Sequence, residues 1–320
     1  MNRIPVIVAA AMLAMPAADA VAQAYPTRPV RLIVPFPPGG ATDTFSRVLA
    51  QELTKSLGQT FVVENRPGAG TTIGADLVAK SPPDGHTLFF TDLSTHTITS
   101  SLYAKLPYHP LRDFAPVAPA NASPLLLVAH PSVGAKTVRE LVAALKKHPG
   151  TTLANSGIGT VTHMTAEKFR LRAGVKVTAV SYKGGATPVI AALGGEVAMV
   201  MATVPAAIQH VQRGKLVAIG LAAARRSPHL PGIPTIGETI KDVEGAVISG
   251  VLAPAGTPRR IVDRLNAEFA KASEAPRVKE IYAENAAETL RMTPDELQKA
   301  LERDVKAWAE VVAATGVKLQ

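Results

Sequence analysis

Residues 30–43 of this chain read VRLIVPFPPGGATD, which predicts a strand, a turn and the start of a helix in succession. The apolar run of residues 30–34 predicts a strand, and residues 35–40 predict a rigid turn that ends in two glycines. A helix is expected to open at Ala41, because apolar residues recur at helical spacing after it. The apolar face of that helix consists of Phe45, Val48, Leu49 and Leu53.

A strand that turns through glycines into a helix leaves backbone N–H groups without partners at the helix start. These groups lie at the positive end of the helix dipole, so the turn is suited to bind an anion. Residues 152–160 read TLANSGIGT and repeat this construction, with a helical pattern from Val161. Either turn alone could be a plain strand–helix connection. Together they predict two lobes that close on one acidic ligand.

The N-terminus has the pattern of a signal peptide, expected to comprise residues 1–24. One positive charge at Arg3 precedes an apolar run over residues 4–15, and Ala22-Gln23-Ala24 fits an A-x-A cleavage site. The run is shorter than the roughly 20 residues that span a bilayer. A buried N-terminal helix is the alternative. We expect cleavage after Ala24 and a mature chain that is not embedded in a membrane.

Composition narrows the class of protein. The chain has no cysteine, so an exported form would use no disulfide and carries no lipidation site. A secreted, unanchored protein is retained by an outer membrane, which favours the bacterial periplasm. The 320 residues, with 47% hydrophobic content, suit two domains. The net charge of +9 favours acidic small molecules or is simply a basic surface. Sparse aromatics and the lack of long Lys/Arg runs argue against nucleic acid.

Short apolar runs alternate with helical patterns, which indicates parallel sheets covered by helices. Ligands of such sheets gather at the carboxyl ends of the strands. After residue 258 the chain is mostly charged helix, and Thr293-Pro294-Asp295-Glu296 has the pattern of a helix start. The expected strands include residues 61–65, 87–91, 125–129, 175–181, 197–201 and 216–221. The expected helices include residues 138–147, 188–193 and a short one with Ile73, Leu77 and Val78 on its inner side.

Catalytic signatures are weak. The chain lacks the G-x-S-x-G elbow, the phosphate loop and the dinucleotide fingerprint, and its eight histidines are scattered. We therefore expect no metal and no cofactor. Ser94-Thr95-His96, expected in a loop past a strand, could form a nucleophile–base pair of a secreted hydrolase. The preferred interpretation is that Ser94 and His96 line a cleft.

The motifs of the chain, taken in order, resemble those of the Bug-type periplasmic solute receptors, the substrate-binding proteins of tripartite tricarboxylate transporters. Any one of them is weak, but together they run through nearly the whole mature chain. They are YPTRPV at 25–30, VPFPPGG with Asp43 at 34–43, ENRPGAG at 64–70, PDGHTL at 83–88, LPY at 106–108, DFAP at 113–116, SGIG at 156–159, YKGG at 182–185 and APAGTP at 253–258.

This resemblance implies an α/β, two-lobed periplasmic-binding-protein clamshell (a type II Venus flytrap), with two crossovers between lobes that each hold a sheet flanked by helices. One lobe would comprise residues 25–124 plus 248–320, and the other residues 125–247. It implies a receptor and not an enzyme, and a small organic acid as ligand. It also implies a monomer that docks on membrane permease subunits, with a sensor kinase as the alternative partner.

The residues that the resemblance assigns to the ligand lie in both turns. The first set is Phe36, Gly39, Gly40, Ala41 and Asp43. The second set is Ser156, Gly157, Gly159, Thr160 and His163. From the residues alone, His163 is either a ligand contact or a structural histidine.

One departure from the family pattern concerns residues 195–202, which read GEVAMVMA. Many relatives carry aspartates where this chain has Ala198 and Ala202. The second of these commonly lies at the cleft, where it would accept a hydrogen bond from an amino group. With Ala202 in that place a buried ammonium would lack a counter-charge, at a cost of several kcal/mol. We therefore predict a plain carboxylate ligand rather than an amino acid.

Overall fold

The computed structural model describes residues 25–103 and 105–317. The predicted signal peptide lies outside the described residues. The strands are β1 (Val30–Val34), β2 (Phe61–Asn65), β3 (Thr87–Asp92), β4 (Phe114–Ala129), β5 (Thr151–Asn155), β6 (Val177–Ser181), β7 (Met199–Thr203), β8 (Val217–Ala222), β9 (Ala246–Pro254) and β10 (Glu288–Thr289). The helices are α1 (Ala41–Leu57), α2 (Thr72–Ala79), α3 (Leu93–Leu102), α4 (Val138–Lys147), α5 (Val161–Ala173), α6 (Thr187–Leu193), α7 (Val204–Gln212), α8 (Arg259–Ala272), α9 (Pro276–Glu284) and α10 (Pro294–Thr315).

The strands form two groups that share β4. The order is β2-β1-β3-β9-β4-β7-β5-β6, with β8 and β10 paired to β4 off this path. Within the first group β2 and β3 run parallel to β1, and within the second β6 and β7 run parallel to β5. The predicted parallel pairing is therefore present in both groups, and the antiparallel β4 and β9 join them.

The chain passes between the two groups at two adjacent points. Residues 114–124 of β4 pair with β9, whereas residues 125–129 pair with β7 and β8. The return passage comes just before β9, where the Leu125 N–H donates to the carbonyl of Gly245 at 3.1 Å. We call the β1, β2, β3, β9, β10 side the first half and the β5–β8 side the second half.

Most predicted elements are confirmed, and the exceptions have physical reasons. The predicted strand 125–129 is only the end of β4, because Pro116, Pro119 and Pro124 obscure its first part. The ladder accommodates the first two prolines by register shifts between 116 and 118 and between 119 and 121. Ile73, expected on an inner face, is 53% exposed.

The core follows the predicted apolar faces. Phe45, Leu49 and Leu53 of α1 are fully buried, and Val48 is nearly so. The predicted start of α10 is confirmed, since the Thr293 hydroxyl accepts from the Glu296 N–H and the Glu296 carboxylate accepts from the Thr293 N–H. Within residues 25–103 and 105–317, no helix combines the length and apolarity needed to cross a membrane.

Candidate functional site

A cavity lies between the two halves, where the carboxyl ends of β1, β3, β5 and β7 meet. Each of these strands is followed by a helix, so the N-termini of α1, α3, α5 and α7 all point toward one place. The lining residues are Phe36, Gly40, Ala41, Thr42, Asp92, Thr95, Ser156, Thr160, Val161, Thr162, Gly185, Thr203 and Val247. The space that a water centre can occupy is about 30 Å³, room for one or two waters.

The first glycine loop (residues 35–40) presents an open helix start to this cavity. Gly40 is the N-cap of α1 and makes no side-chain capping bond. Among the described residues, no protein acceptor is found for the N–H groups of Gly40, Ala41 and Thr42. This end of α1 therefore offers free donors and a positive dipole to an anion.

Asp43 orders this loop from outside the cavity. Its carboxylate accepts from Gly39 N at 3.1 Å, Arg47 Nε at 3.0 Å and Asn65 Nδ2 at 2.9 Å. Burial acts to raise the pKa of Asp43, but these hydrogen bonds outweigh it and the pKa is lowered. Gly39 and Asp43, both predicted to contact the ligand, thus bond to each other and shape the loop.

The second glycine loop (residues 156–160) satisfies most of its own donors. The N–H groups of Ser156, Gly157 and Gly159 donate to Thr162 Oγ1, Asn155 Oδ1 and His163 Nδ1 at 3.0, 2.9 and 3.2 Å. The Thr160 hydroxyl accepts from the N–H of His163, and it donates to the Gly157 carbonyl at 2.7 Å. This loop lines the cavity with side chains and keeps its amides occupied.

The two halves touch across the cavity. A Cβ on Gly40 would lie 3.5 Å from Gly185 Cα, and a Cβ on Gly185 would lie 2.9 Å from the Pro38 carbonyl oxygen. Gly185 also has a φ of +60°. The Val161 N–H donates to Thr95 Oγ1 at 3.1 Å, which joins α5 of the second half to α3 of the first. The described state is therefore closed, and any organic acid needs the halves to separate before it can enter.

Asp92 at the end of β3 is a cavity residue that sequence reasoning missed. It is 2% exposed and caps α3 by accepting from Ser94 N, and it also accepts from Ile248 N and from Thr95 Oγ1 at 2.5 Å. Burial raises the pKa of Asp92 to about 7, against the lowering effect of those hydrogen bonds. A signal was available, since an Asp between a strand and a Ser-Thr pair is a typical N-cap.

Ser94 and His96 lie on α3 and not in a loop, and neither lines the cavity. Ser94 Oγ is 3.4 Å from the carbonyl of Ala246. His96 is fully buried among Phe89, Tyr108 and Phe114, and its Nε2 donates to the Pro110 carbonyl at 2.8 Å. The helical turn places Thr95, between them, in the cavity instead.

Burial lowers the pKa of His96 to about 4. This imidazole is therefore a neutral core group, and it does not meet the Ser94 hydroxyl. The hydrolase alternative has no nucleophile–base pair here.

His163 and Ala202 are also placed outside the cavity lining. Burial lowers the pKa of His163, whose Nδ1 accepts a hydrogen bond from the second loop. Ala202 packs with Leu126 and Val128 in the core of the second half. The next residue, Thr203, faces the cavity, and its hydroxyl is buried with no hydrogen-bond partner.

Five of the thirteen predicted ligand residues line the cavity. They are Phe36, Gly40, Ala41, Ser156 and Thr160. Gly157 and Gly159 sit in the second loop without lining it. The lining residues that were not predicted are Thr42, Asp92, Thr95, Val161, Thr162, Gly185, Thr203 and Val247. Among the described residues, no group of three or more His, Cys, Asp or Glu side chains could hold a metal ion.

Comparisons with known proteins show the family and the fold. Residues 45–317 match the model of the tripartite tricarboxylate transporter family receptor. The chain belongs to this family. It is similar to Protein BugT of Bordetella pertussis, with 37% identity over 99% of this chain and 97% of that protein.

Solved structures give the same assignment. A protein of R. palustris solved with adipate has a TM-score of 0.88 and 32% identity, covering 92% of this chain and 99% of that one. MatC from Rhodopseudomonas palustris, solved with bound malate, has a TM-score of 0.83 and 34% identity, covering 90% of this chain and all of that one. The predicted α/β two-lobed clamshell is confirmed. Like the other members, this receptor of the transporter family is a solute-binding protein and not an enzyme.

Proposed function

We propose that this receptor captures a small organic carboxylate between its two halves in the periplasm and delivers it to the membrane subunits of a tripartite tricarboxylate-type transporter. The open N-terminus of α1 carries this proposal. Its free N–H groups at Gly40, Ala41 and Thr42 face the cavity, and no basic side chain lines that cavity among the described residues. A carboxylate is the kind of anion that fits such donors.

Hydroxyl groups complete the proposed site from the other side. The Thr203 hydroxyl is buried and has no partner, and Ser156, Thr160 and Thr162 line the same wall. Closure would bring these groups onto the carboxylate that α1 holds. Removal of water would then strengthen every hydrogen bond in the site.

The two lobes of the proposed motion are residues 25–124 plus 248–320 and residues 125–247. The change of β4 partner between residues 124 and 125 supports the first boundary of this division. The start of β9 at Ala246, beside the bond between Leu125 and Gly245, supports a second boundary within two residues of 247. We further propose that the receptor acts as a monomer and that residues 1–24 are removed on export.

The proposed ligand class is a carboxylate without an amine. The two neighbours solved with adipate and malate hold acids of this kind. Ala202 lies in the core, so it no longer argues against an amino-acid ligand. A different observation does. Asp92 is the only carboxyl among the described lining residues, and its oxygens already accept from the protein, which leaves little for an ammonium group.

A thermal-shift panel tests the proposal. It would contain adipate, malate, citrate, benzoate and the matched pair glutarate and glutamate, which differ by one ammonium group. An acid present at about 100 times its Kd should add about 2.7 kcal/mol to the free energy of unfolding. We expect stabilisation by at least one plain acid and a preference for glutarate over glutamate. Stabilisation by glutamate but not by the plain acids would overturn the ligand class.

A further inference from the structure

Asp92 creates an electrostatic problem for a receptor of organic acids. It is the only ionisable side chain among the described residues that line the cavity, and it is a carboxyl group. The nearest candidate cation on α1, Arg47, is bound to Asp43 and Asn65. A ligand carboxylate would therefore enter a closed space that already holds a carboxyl and offers no cationic side chain.

Two carboxylates in one dry cavity do not both stay ionised. The repulsion between them raises the proton affinity of one, because water is no longer there to screen the charges. The pair then holds one proton between its two members. In this cavity the proton would reside on Asp92, since free organic acids ionise at about pH 4 to 5.

A proton on Asp92 would change the hydrogen bond that Asp92 makes with Thr95. The Thr95 hydroxyl lies 2.5 Å from Asp92 Oδ2 and donates its only hydrogen to it. Thr95 Oγ1 itself accepts from the Val161 N–H at 3.1 Å. Thr95 lines the cavity, but while its hydrogen points at Asp92 it has none to offer to a ligand.

We propose that Asp92 takes up one proton from solvent when the ligand binds, that its O–H then donates to Thr95 Oγ1, and that the Thr95 hydrogen turns to the ligand carboxylate. Only the O–H bond of Asp92 is formed in this step, and the hydroxyl of Thr95 merely rotates. Asp92 is a positioning residue here, and Thr95 is the group that would touch the ligand. The inference rests on the proposed function, since it requires an acid in the cavity.

Asp92 has the proton affinity that this role needs. Asp43 and Arg47 lie in the first two turns of α1, and His163 and Glu167 lie in the first two turns of α5. His96 is the ionisable residue of α3, and Asp304 lies on α10, which packs against α3. The pKa values of both histidines are lowered by burial, and that of Asp43 is lowered by its hydrogen bonds. No ionisable residue occurs in β7 or β9. With its pKa raised to about 7, Asp92 titrates in the range where the receptor would work.

Calorimetric titration with adipate and with malate, at about pH 6.5 and about pH 8.5, tests the step. If the ligand binds only when Asp92 is protonated, its affinity follows the protonated fraction of Asp92, which falls about tenfold for each pH unit above the pKa of about 7. Binding should therefore be about 25-fold weaker at the higher pH. Titration in two buffers of different ionisation enthalpy should show uptake of close to one proton per ligand at the higher pH.

Substitutions assign the effect to the pair. In Asp92→Asn the amide is a permanent donor to Thr95, so we expect the affinity of the low-pH form at both pH values. Thr95→Val should weaken binding and reduce the pH dependence to the part that repulsion between the two carboxylates alone produces, and Thr95→Ser should restore both. Asp304→Asn is the matched control, because burial also raises the pKa of this carboxyl but it lies outside the cavity. It should keep the wild-type pH dependence.

The outcomes separate this inference from the proposed function. An acid that binds equally well at both pH values overturns the inference alone. So does tighter binding at the higher pH, which would mean that ionised Asp92 pairs with a cationic ligand group. If no acid of the panel binds at either pH, the proposed function fails and the inference fails with it. Should Asp92→Asn not fold, the Thr95→Val and Thr95→Ser pair still decides.

Discussion

The two glycine loops share one sequence construction and differ in what they leave free. In the first loop, Asp43 folds back to hold Gly39, and the helix start at Gly40 remains uncapped. In the second loop, the side chains of Thr162, Asn155 and His163 accept from three of the loop N–H groups, and Thr160 caps α5. A glycine turn before a helix therefore makes an anion site only where the nearby side chains are directed elsewhere.

The comparison extends to two further helix starts. Asp92 fills the N-terminus of α3, and Thr203 precedes α7 without a capping bond. Pro205 in the first turn of α7 has no N–H, so α1 offers more free backbone donors to the cavity than α7 does. Substitutions at these helix starts and loops test that contrast.

The largest expected effect is on Gly40→Asp. Its carboxylate would cap α1 and repel a ligand carboxylate, and like charges in a desolvated contact cost several kcal/mol. We expect Kd to rise at least about 1,000-fold by calorimetry, while the melting temperature without ligand is unchanged or higher. Gly40→Asn is the control of equal size without charge, and it should bind better than Gly40→Asp. Equal binding by the two variants would remove α1 from the site.

The next largest effect is that of Asp92 on the stability of the ligand-free receptor. Its pKa is raised from 3.8 to about 7 in the folded state. As the pH rises, the unfolded chain therefore loses this proton near about pH 4, whereas the folded protein keeps it until about pH 7. The free energy of unfolding should therefore fall between about pH 4 and 7, by at most about 4 kcal/mol. Asp92→Asn should lose this fall in urea denaturation at different pH values.

Asp43 gives the opposite sign and serves as the comparison. Its pKa is lowered in the folded state, so its contribution is present above its ordinary pKa of 3.8 and is lost as the pH falls. Asp43→Asn should therefore lower stability at neutral pH. Matching behaviour of the two variants would contradict the distinct roles of the two carboxyls.

A smaller effect is expected at the contact between the halves. Gly185→Ala places a Cβ 2.9 Å from the Pro38 carbonyl oxygen in the closed state. Gly214 has a similar positive φ of 67° with nothing within 4 Å of an added Cβ. Both alanine variants should lose about 1–2 kcal/mol of stability through backbone strain. Only Gly185→Ala should also bind about tenfold more weakly, measured by calorimetry.

The smallest effect is expected at the second glycine loop. Thr160→Ala removes the N-cap of α5 and should cost about 1 kcal/mol of stability, with only a few-fold loss of affinity. Thr137→Ala removes the equivalent cap of α4, distant from the cavity, and should cost the same with no change in binding. A loss of affinity as large as that of Gly40→Asp would mean that the second loop holds the carboxylate.

Much of the fold could be predicted because short-range patterns decide it. The strand and helix of residues 30–57 are fixed by apolar spacing and by the prolines and glycines between them. The site was harder, because spatial neighbours come from four separate strand ends. Asp92 and Thr95 were beside the predicted Ser94 and His96, but the helical register that brings Thr95 to the cavity was not visible in residues expected to form a loop.

Ala202 is the opposite case, because it was predicted to lie at the cleft and lies in the core instead. The predicted strand ended at residue 201, and the place of Ala202 at the cleft was implied by the family resemblance. Which residues at the end of β7 face the cavity depends on tertiary packing. The structure turns Ala202 to the core and leaves Thr203 at the strand end. A single sequence shows that alternate residues of a strand share a face, but it does not show which of the two faces points to the cavity.

The passage of β4 through both halves has a mechanical consequence. The ladder from Asn121–Ser249 to Pro124–Ala246 runs up to the point where β4 changes partner. These pairs hold the two chain passages side by side, at residues 124–125 and 245–246, so sliding one half past the other would strain both passages, whereas a twist about them would not. We therefore expect the halves to open by rotation about these two passages, so that the angle at which they come to rest would depend on the length of the captured acid.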